Sequence, residues 1–306
     1  MNNVVLLKLH RWITLVFALP LLALIITGLI ISFQPVVQTM SVVPGSIDLS
    51  RVEKVLARFD PDGKARGLAI DGASGHLRLL GISAPEIDLS TGEPATTTAP
   101  LNDLFQWARR NHEHLVGQSW LVIASTAAML VLMTLGVLMG LPRLRNSLSG
   151  WHKGIAWFGL PLIVLSPLTG LCMAFGLTFQ SGGGLGAAGR PVPLKQAVAE
   201  VAQTHDLAQL VSLSVRSGGT MARLQEGGEL RAHAVTAQGV TELPRNWPRL
   251  LHEGNWFGVV SGPLNVFTSL ALLGLLSTGL LIWARRTFRR RPQRQRQRGV
   301  PATASS

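Results

Sequence analysis

Hydrophobic and polar positions divide the chain into alternating blocks. Ile13–Phe33, Leu115–Leu141, Gly154–Phe179 and Gly254–Ala284 are 21, 27, 26 and 31 residues long and carry no charged side chain, the apolar part of the last running from about Val259. A helix needs roughly 20 apolar residues to cross a hydrocarbon core, so each block predicts a membrane span. The first exceeds the roughly 7–15 apolar residues of a secretory signal. No small-x-small cleavage pattern follows Phe33, so this block is read as a retained anchor. Between the spans the pattern changes. Leu49–Phe59 places Val52, Val55, Leu56 and Phe59 on one helical face. The short strand-like runs Ala69-Ile70, Leu77–Leu80 and Glu86–Leu89 follow, broken by Asp71-Gly72, Ser74-Gly75 and Thr91-Gly92. After a glycine-rich linker, Ser181–Gly189, the later segment repeats this order. A helix is predicted over Pro193–His205, then strands at Val211–Val215, Thr220–Leu224 and Arg231–Val235, separated by Gly218-Gly219 and Gly227-Gly228.

The organisation predicted is a first span within 1–33, an external domain over 34–114, a second span over 115–141 and a link over 142–153. A third span over 154–179, a second external domain over 180–258, a fourth span over 259–284 and a tail over 285–306 complete it. The halves echo one another. His10 precedes Thr27-Gly28 by 17 and 18 residues, and His152 precedes Thr169-Gly170 by the same distances. Thr134-Leu135-Gly136 before Pro142-Arg143 matches Thr278-Gly279 before Arg285-Arg286. The fold class expected is an all-α membrane core, a four-helix bundle built from two parallel repeats, carrying two small α+β external domains.

Charge sets an orientation. The chain is only 14% charged and its net charge is +12. The N-terminus, the 142–153 link and the tail from Arg285 hold 13 Lys/Arg and no acidic residue, whereas 34–114 and 180–253 hold 15 Lys/Arg and all 16 acidic residues. By the positive-inside rule both termini and the link face the cytoplasm and the two long segments lie outside it, in a bacterial inner membrane. The basic excess is thus a topology signal and not a nucleic-acid site. The arginine-rich tail suits contact with anionic lipid. The single cysteine, Cys172, excludes an intrachain disulfide and a thiolate cluster.

Eight histidines carry the candidate chemistry. His76, His205 and His233 fall in the external segments without metal-like spacing and read as ordinary surface or turn residues. The other five recur at span boundaries. His10 and His152 start spans one and three on the cytoplasmic side, and His112, His114 and His252 start spans two and four on the outer side. One boundary histidine is ordinarily an interface residue, but recurrence at all four spans within a repeat points to function, since ionisable groups in a membrane are costly. Imidazole is the usual axial ligand of b-type haem. Depth pairs His10 with His152, and His252 with His112 or His114, predicting two haems per chain with these histidines bonding the iron. Gly28, Gly136, Gly170 and Gly279 would admit a flat macrocycle or a neighbouring helix. Arg11, Lys153 and Arg109 or Arg110 would meet the propionates.

These residues resemble the PepSY-associated transmembrane family, which includes iron-regulated ferrisiderophore reductases. The likeness rests on Leu9-His10-Arg11-Trp12 with Thr27-Gly28-Leu29, and on Trp151-His152-Lys153 with Leu168-Thr169-Gly170-Leu171. It extends to Leu251-His252-Glu253-Gly254 with Ser277-Thr278-Gly279-Leu280 and Trp283, and Ile87–Glu93 resembles the closing strand-turn of a PepSY unit. The sequence departs from the family at Asn111-His112-Glu113-His114-Leu115, where Leu115 follows His112 at the family's spacing. The resemblance implies haem b and transmembrane electron transfer, with a ferric siderophore as the external acceptor. A quinol or a cytoplasmic reductant is the donor. From another class, a haem-free module whose PepSY-like domains bind or restrain an extracytoplasmic partner such as a protease is the alternative. A small transporter is disfavoured because no span carries a charge near its middle.

Overall fold

In the computed structural model, which describes residues 3–141, 145–180 and 190–288, all but the last two residues of the first apolar block lie in one helix, α1 (Asn3–Ile31), with Pro20 inside it. A short helix, α2 (Gln34–Ser41), follows, and then α3 (Leu49–Phe59), which buries Val52, Val55 and Leu56 as its 3.6-residue spacing requires. Four strands come next: β1 (Gly67–Asp71), β2 (His76–Leu80), β3 (Ile87–Asp88) and β4 (Glu93–Pro94). The helix α4 (Pro100–Glu113) closes this half.

The second half opens with α5 (Ser119–Leu138) and continues through α6 (Leu148–Phe158) and α7 (Leu160–Ala174). The third apolar block is therefore a pair of helices bent by 65°. Gly159 ends α6, and Pro161 at the start of α7 lacks an N–H and crowds the preceding turn, so the bend has a local cause. Then come α8 (Leu194–Thr204), the strands β5 (Leu210–Arg216), β6 (Gly219–Glu226), β7 (Glu229–Thr236) and β8 (Gly239–Glu242), the short α9 (Trp247–Glu253), and α10 (Gly258–Phe288). Helix, four strands and helix thus recur in both halves.

The chain forms two compact units. One comprises 1–26, 112–168 and 268–306 and is helical; the other comprises 27–111 and 169–267 and holds every described strand. The regions of α1, α5 and α10 are long and apolar enough to cross a membrane, and the bent α6–α7 pair supplies a fourth crossing if it counts as one. This is a multi-pass membrane protein. In the helical unit Leu21, Ile25, Ile163, Ala271, Leu272 and Leu276 form the packed centre.

The expectation of two separate external α+β domains is corrected. All eight strands form one antiparallel sheet in the order β4-β3-β2-β1-β5-β6-β7-β8. Each half alone would leave its first strand as an open edge of unpaired backbone groups. Here β1 and β5 satisfy one another, with Gly67, Leu68 and Ala69 opposite Ser214, Leu213 and Ser212. A Cβ at Gly67 would overlap the Leu213 carbonyl, so the seam requires glycine there. Leu68, Leu77, Ile87, Leu213, Leu224 and Val235 build a single core with the apolar faces of α3 and α8. The glycine-rich linker and most of the arginine tail lie outside the described residues.

Candidate functional site

His10 in α1 and His152 in α6 line one cavity of about 490 Å³ within the helical unit. Their ring centroids are 6.5 Å apart and their planes stand at 90°. Much of the wall is apolar, including Leu132, Met133, Ile163 and Leu276, while Lys8, Arg11, Lys153 and Arg286 add positive charge. The volume lies within the roughly 300–1,000 Å³ of cofactor and small-molecule sites.

Hydrogen bonding decides the state of His152. Its Nδ1 lies 2.8 Å from the Thr278 hydroxyl, and that hydroxyl already donates to the Gly274 carbonyl at 2.6 Å. A hydroxyl has one proton to give, so Thr278 accepts from the imidazole. Nδ1 of His152 therefore carries hydrogen, and Nε2 keeps a free lone pair. The next residue, Gly279, sits so close that a Cβ there would lie 3.6 Å from the His152 Cε1. Nδ1 of His10 is buried without a hydrogen-bond partner. At Gly136, also in the wall, a Cβ would meet nothing within 4 Å.

These features allow a test of fit for a bis-imidazole haem. A metal bonded on both sides to imidazole nitrogens at about 2 Å separates the ring centroids by roughly 6 Å, close to the spacing of His10 and His152. Open space at Gly136 and the ligand-ready tautomer of His152 agree with it. The spacing of the pair and the tautomer of His152 are compatible with such a group.

The remaining candidates do not stand at the starts of α5 and α10, where the sequence places them. His112 ends α4, and its Nδ1 lies 3.1 Å from the Leu24 carbonyl. A carbonyl only accepts, so His112 too carries its hydrogen on Nδ1. His114 is exposed and bonded to the Ser119 hydroxyl at 2.7 Å. His252 belongs to α9, with Nδ1 3.2 Å from the Thr169 hydroxyl. Its carbonyl accepts from the Asn265 amide at 2.7 Å, and a Cβ at Gly170 would come within 3.0 Å of its Cε1. A Thr-Gly pair thus cradles His252 as another cradles His152, and these are the pairs that recur in the sequence.

Beside His252, Glu253 gathers Arg109 and Arg249 at 3.5 and 3.6 Å. Burial alone would push its carboxyl up, but Arg109, Arg249 and Arg223 outweigh it and hold it below the usual range. The reading of His76 and His233 as surface residues is corrected: they are 5% and 4% exposed. Alternation along β7 puts His233 on the same face as the buried Val235, a signal already legible in Arg231–Val235.

Comparison with known families matches residues 7–286 to the PepSY-associated TM region. The chain belongs to this family. The PepSY-associated region takes in all five candidate histidines and both units. No curated protein matches the chain.

Proposed function

We propose that this protein holds b-type haem in its helical unit and passes electrons across a bacterial inner membrane to an acceptor outside the cytoplasm. The observation that carries the reading is the pair His10 and His152, 6.5 Å apart across a largely apolar cavity. These two histidines would hold the iron. Thr278 fixes the His152 tautomer, Lys8, Arg11, Lys153 and Arg286 are the cations available to propionates, and the apolar wall limits water. Bound there, haem would supply one-electron redox chemistry. The positive-inside charge pattern supports cytoplasmic termini and an extracytoplasmic sheet unit. A ferric chelate of the siderophore class is the acceptor that the sequence resemblance implies, with quinol or a cytoplasmic reductant as donor. His112 and His252 carry the expectation of a second haem, and four crossings follow if α6 and α7 form one span.

A reduced-minus-oxidised visible spectrum of the purified protein tests this. The sharp bands of a six-coordinate haem are expected, lost in His152→Ala. In Thr278→Val they should be retained with an altered midpoint potential, because the tautomer is no longer imposed. A colourless preparation from haem-replete cells overturns the reading.

A second reading, a haem-free module that binds an extracytoplasmic partner, has its own observation. The sheet unit carries a recess of about 270 Å³ lined by Arg223, Arg245 and Arg249 with Glu229 and Glu242. Colourless protein that still binds a partner through this recess would favour it.

A further inference from the structure

The sheet unit holds a second group of metal-ligating side chains, drawn from three elements. His205 follows the last turn of α8, Glu226 ends β6, and His233 lies within β7. Their ligand atoms all fall within 4.8 Å of one another. Both imidazoles present Nε2 to the same carboxylate oxygen: His205 Nε2 is 3.3 Å from Glu226 Oε1, and His233 Nε2 is 3.7 Å from it. These separations exceed the 2.7–3.2 Å of a good N–H···O hydrogen bond. They suit instead the edges of a coordination tetrahedron, about 3.3 Å when each ligand bond is about 2 Å. The His205 side chain is 21% exposed and that of Glu226 19%, so an ion has a path from solvent, while His233, at 5%, forms the buried floor.

The group borders an ion-pair network through Glu226 and Arg231. Nδ1 of His205 is 2.8 Å from the Thr204 hydroxyl, the kind of outer contact that orients a ligating imidazole. Nδ1 of His233 is buried and has no hydrogen-bond partner. The other carboxylate oxygen, Glu226 Oε2, lies 3.7 Å from Arg231, which itself turns to Glu229 and Glu242.

We propose that His205, Glu226 and His233 bind one divalent first-row transition-metal cation on the sheet unit, leaving one tetrahedral position to solvent or to an external ligand. Two nitrogen donors and one carboxylate oxygen suit zinc and its neighbours and not calcium or magnesium, which take oxygen ligands. The site is independent of the haem reading and uses none of its histidines.

The test titrates Zn²⁺ into the full-length, tag-free chain in detergent, stripped beforehand with a chelator, against a chromophoric competitor. The His10→Ala/His152→Ala double variant should keep one tight equivalent, which removes that pair as its source. His205→Ala, whose side chain is partly exposed and outside the core, and Glu226→Gln should each weaken that equivalent by roughly a hundredfold or more, at or beyond the 10–100-fold cost of losing an outer-shell partner. Co²⁺ in place of Zn²⁺ should give d–d absorption that the same variants abolish. Unchanged affinity in both variants, or no equivalent of micromolar or tighter affinity in the double variant, overturns the proposal. Neither result depends on the colour of the protein.

Discussion

Glu253 shows how single residues set the behaviour of this protein. Its side chain is 8% exposed, yet it stays charged because Arg109 and Arg249 stand at 3.5 and 3.6 Å and Arg223 adds to their field. The same cluster ties α4, β6 and α9 together, and Arg109 also donates to Gln34 of α2 at 2.9 Å. Glu253→Gln keeps the volume and deletes the charge, leaving arginines without their anion. Arg109 and Arg249 are 32% and 38% exposed, so water screens part of the loss, but the α9 amides should still exchange hydrogen faster. The pH dependence has a definite sign. A carboxyl held below its unfolded value of about 4.3 contributes fully above that pH and loses its contribution as pH falls through the folded value. The protection factor of the α9 amides, with the intrinsic pH dependence of exchange divided out, should therefore fall on acidification below about 4.3 in the native protein and stay flat in Glu253→Gln. Equal acid sensitivity in both would show that Glu253 does not govern α9.

At the scale of elements, the seam between β1 and β5 is the decisive contact, and Gly67 is its tightest point. Gly67→Ala sets a methyl against the Leu213 carbonyl. Backbone must move, at a cost of about 1–3 kcal/mol for an overpacked site. Denaturant unfolding of the solubilised protein should show that loss, with faster exchange at β1 and β5, whereas Gly218→Ala, in open space and without a positive φ, should leave the seam amides unchanged. Equal effects of the two would reject the seam as the weak joint. This joint was not legible in the sequence, because it pairs residues more than a hundred positions apart and register has no local signature. The neighbouring elements were legible. α3 matches its prediction because Val52, Val55 and Leu56 fall on one face, and β5, β6 and β7 follow their alternation and glycine turns. α2, α4 and α9 went unpredicted because they are short or rich in polar residues between longer signals. The recurrence of histidine before Thr-Gly exposed the membrane candidates. His205, Glu226 and His233 carry no motif, since a helix end and two strands supply one ligand each.

Across the whole molecule, the fold repeats one plan with different chemistry in each unit. Apolar helices furnish a water-poor cavity with imidazoles, and the sheet gathers charged and metal-ligating groups that a hydrocarbon environment would penalise. This division makes the haem reading separable by mutation. If His10 and His152 act as the two ligands of one iron, the loss of either should remove one haem per chain, and the double variant should do little more, because residues acting as a unit are non-additive. With two haems present in the native protein, each single variant should retain one. His252→Ala should leave the haem of His10 and His152 spectrally intact while removing the other. Haem-to-protein ratios from pyridine haemochrome assays, with chain concentration from amino-acid analysis, measure these counts. A further stepwise loss in the double variant beyond either single would mean that His10 and His152 serve different irons. A common signal abolished by both His10→Ala and His252→Ala would mean that one haem is all the chain holds.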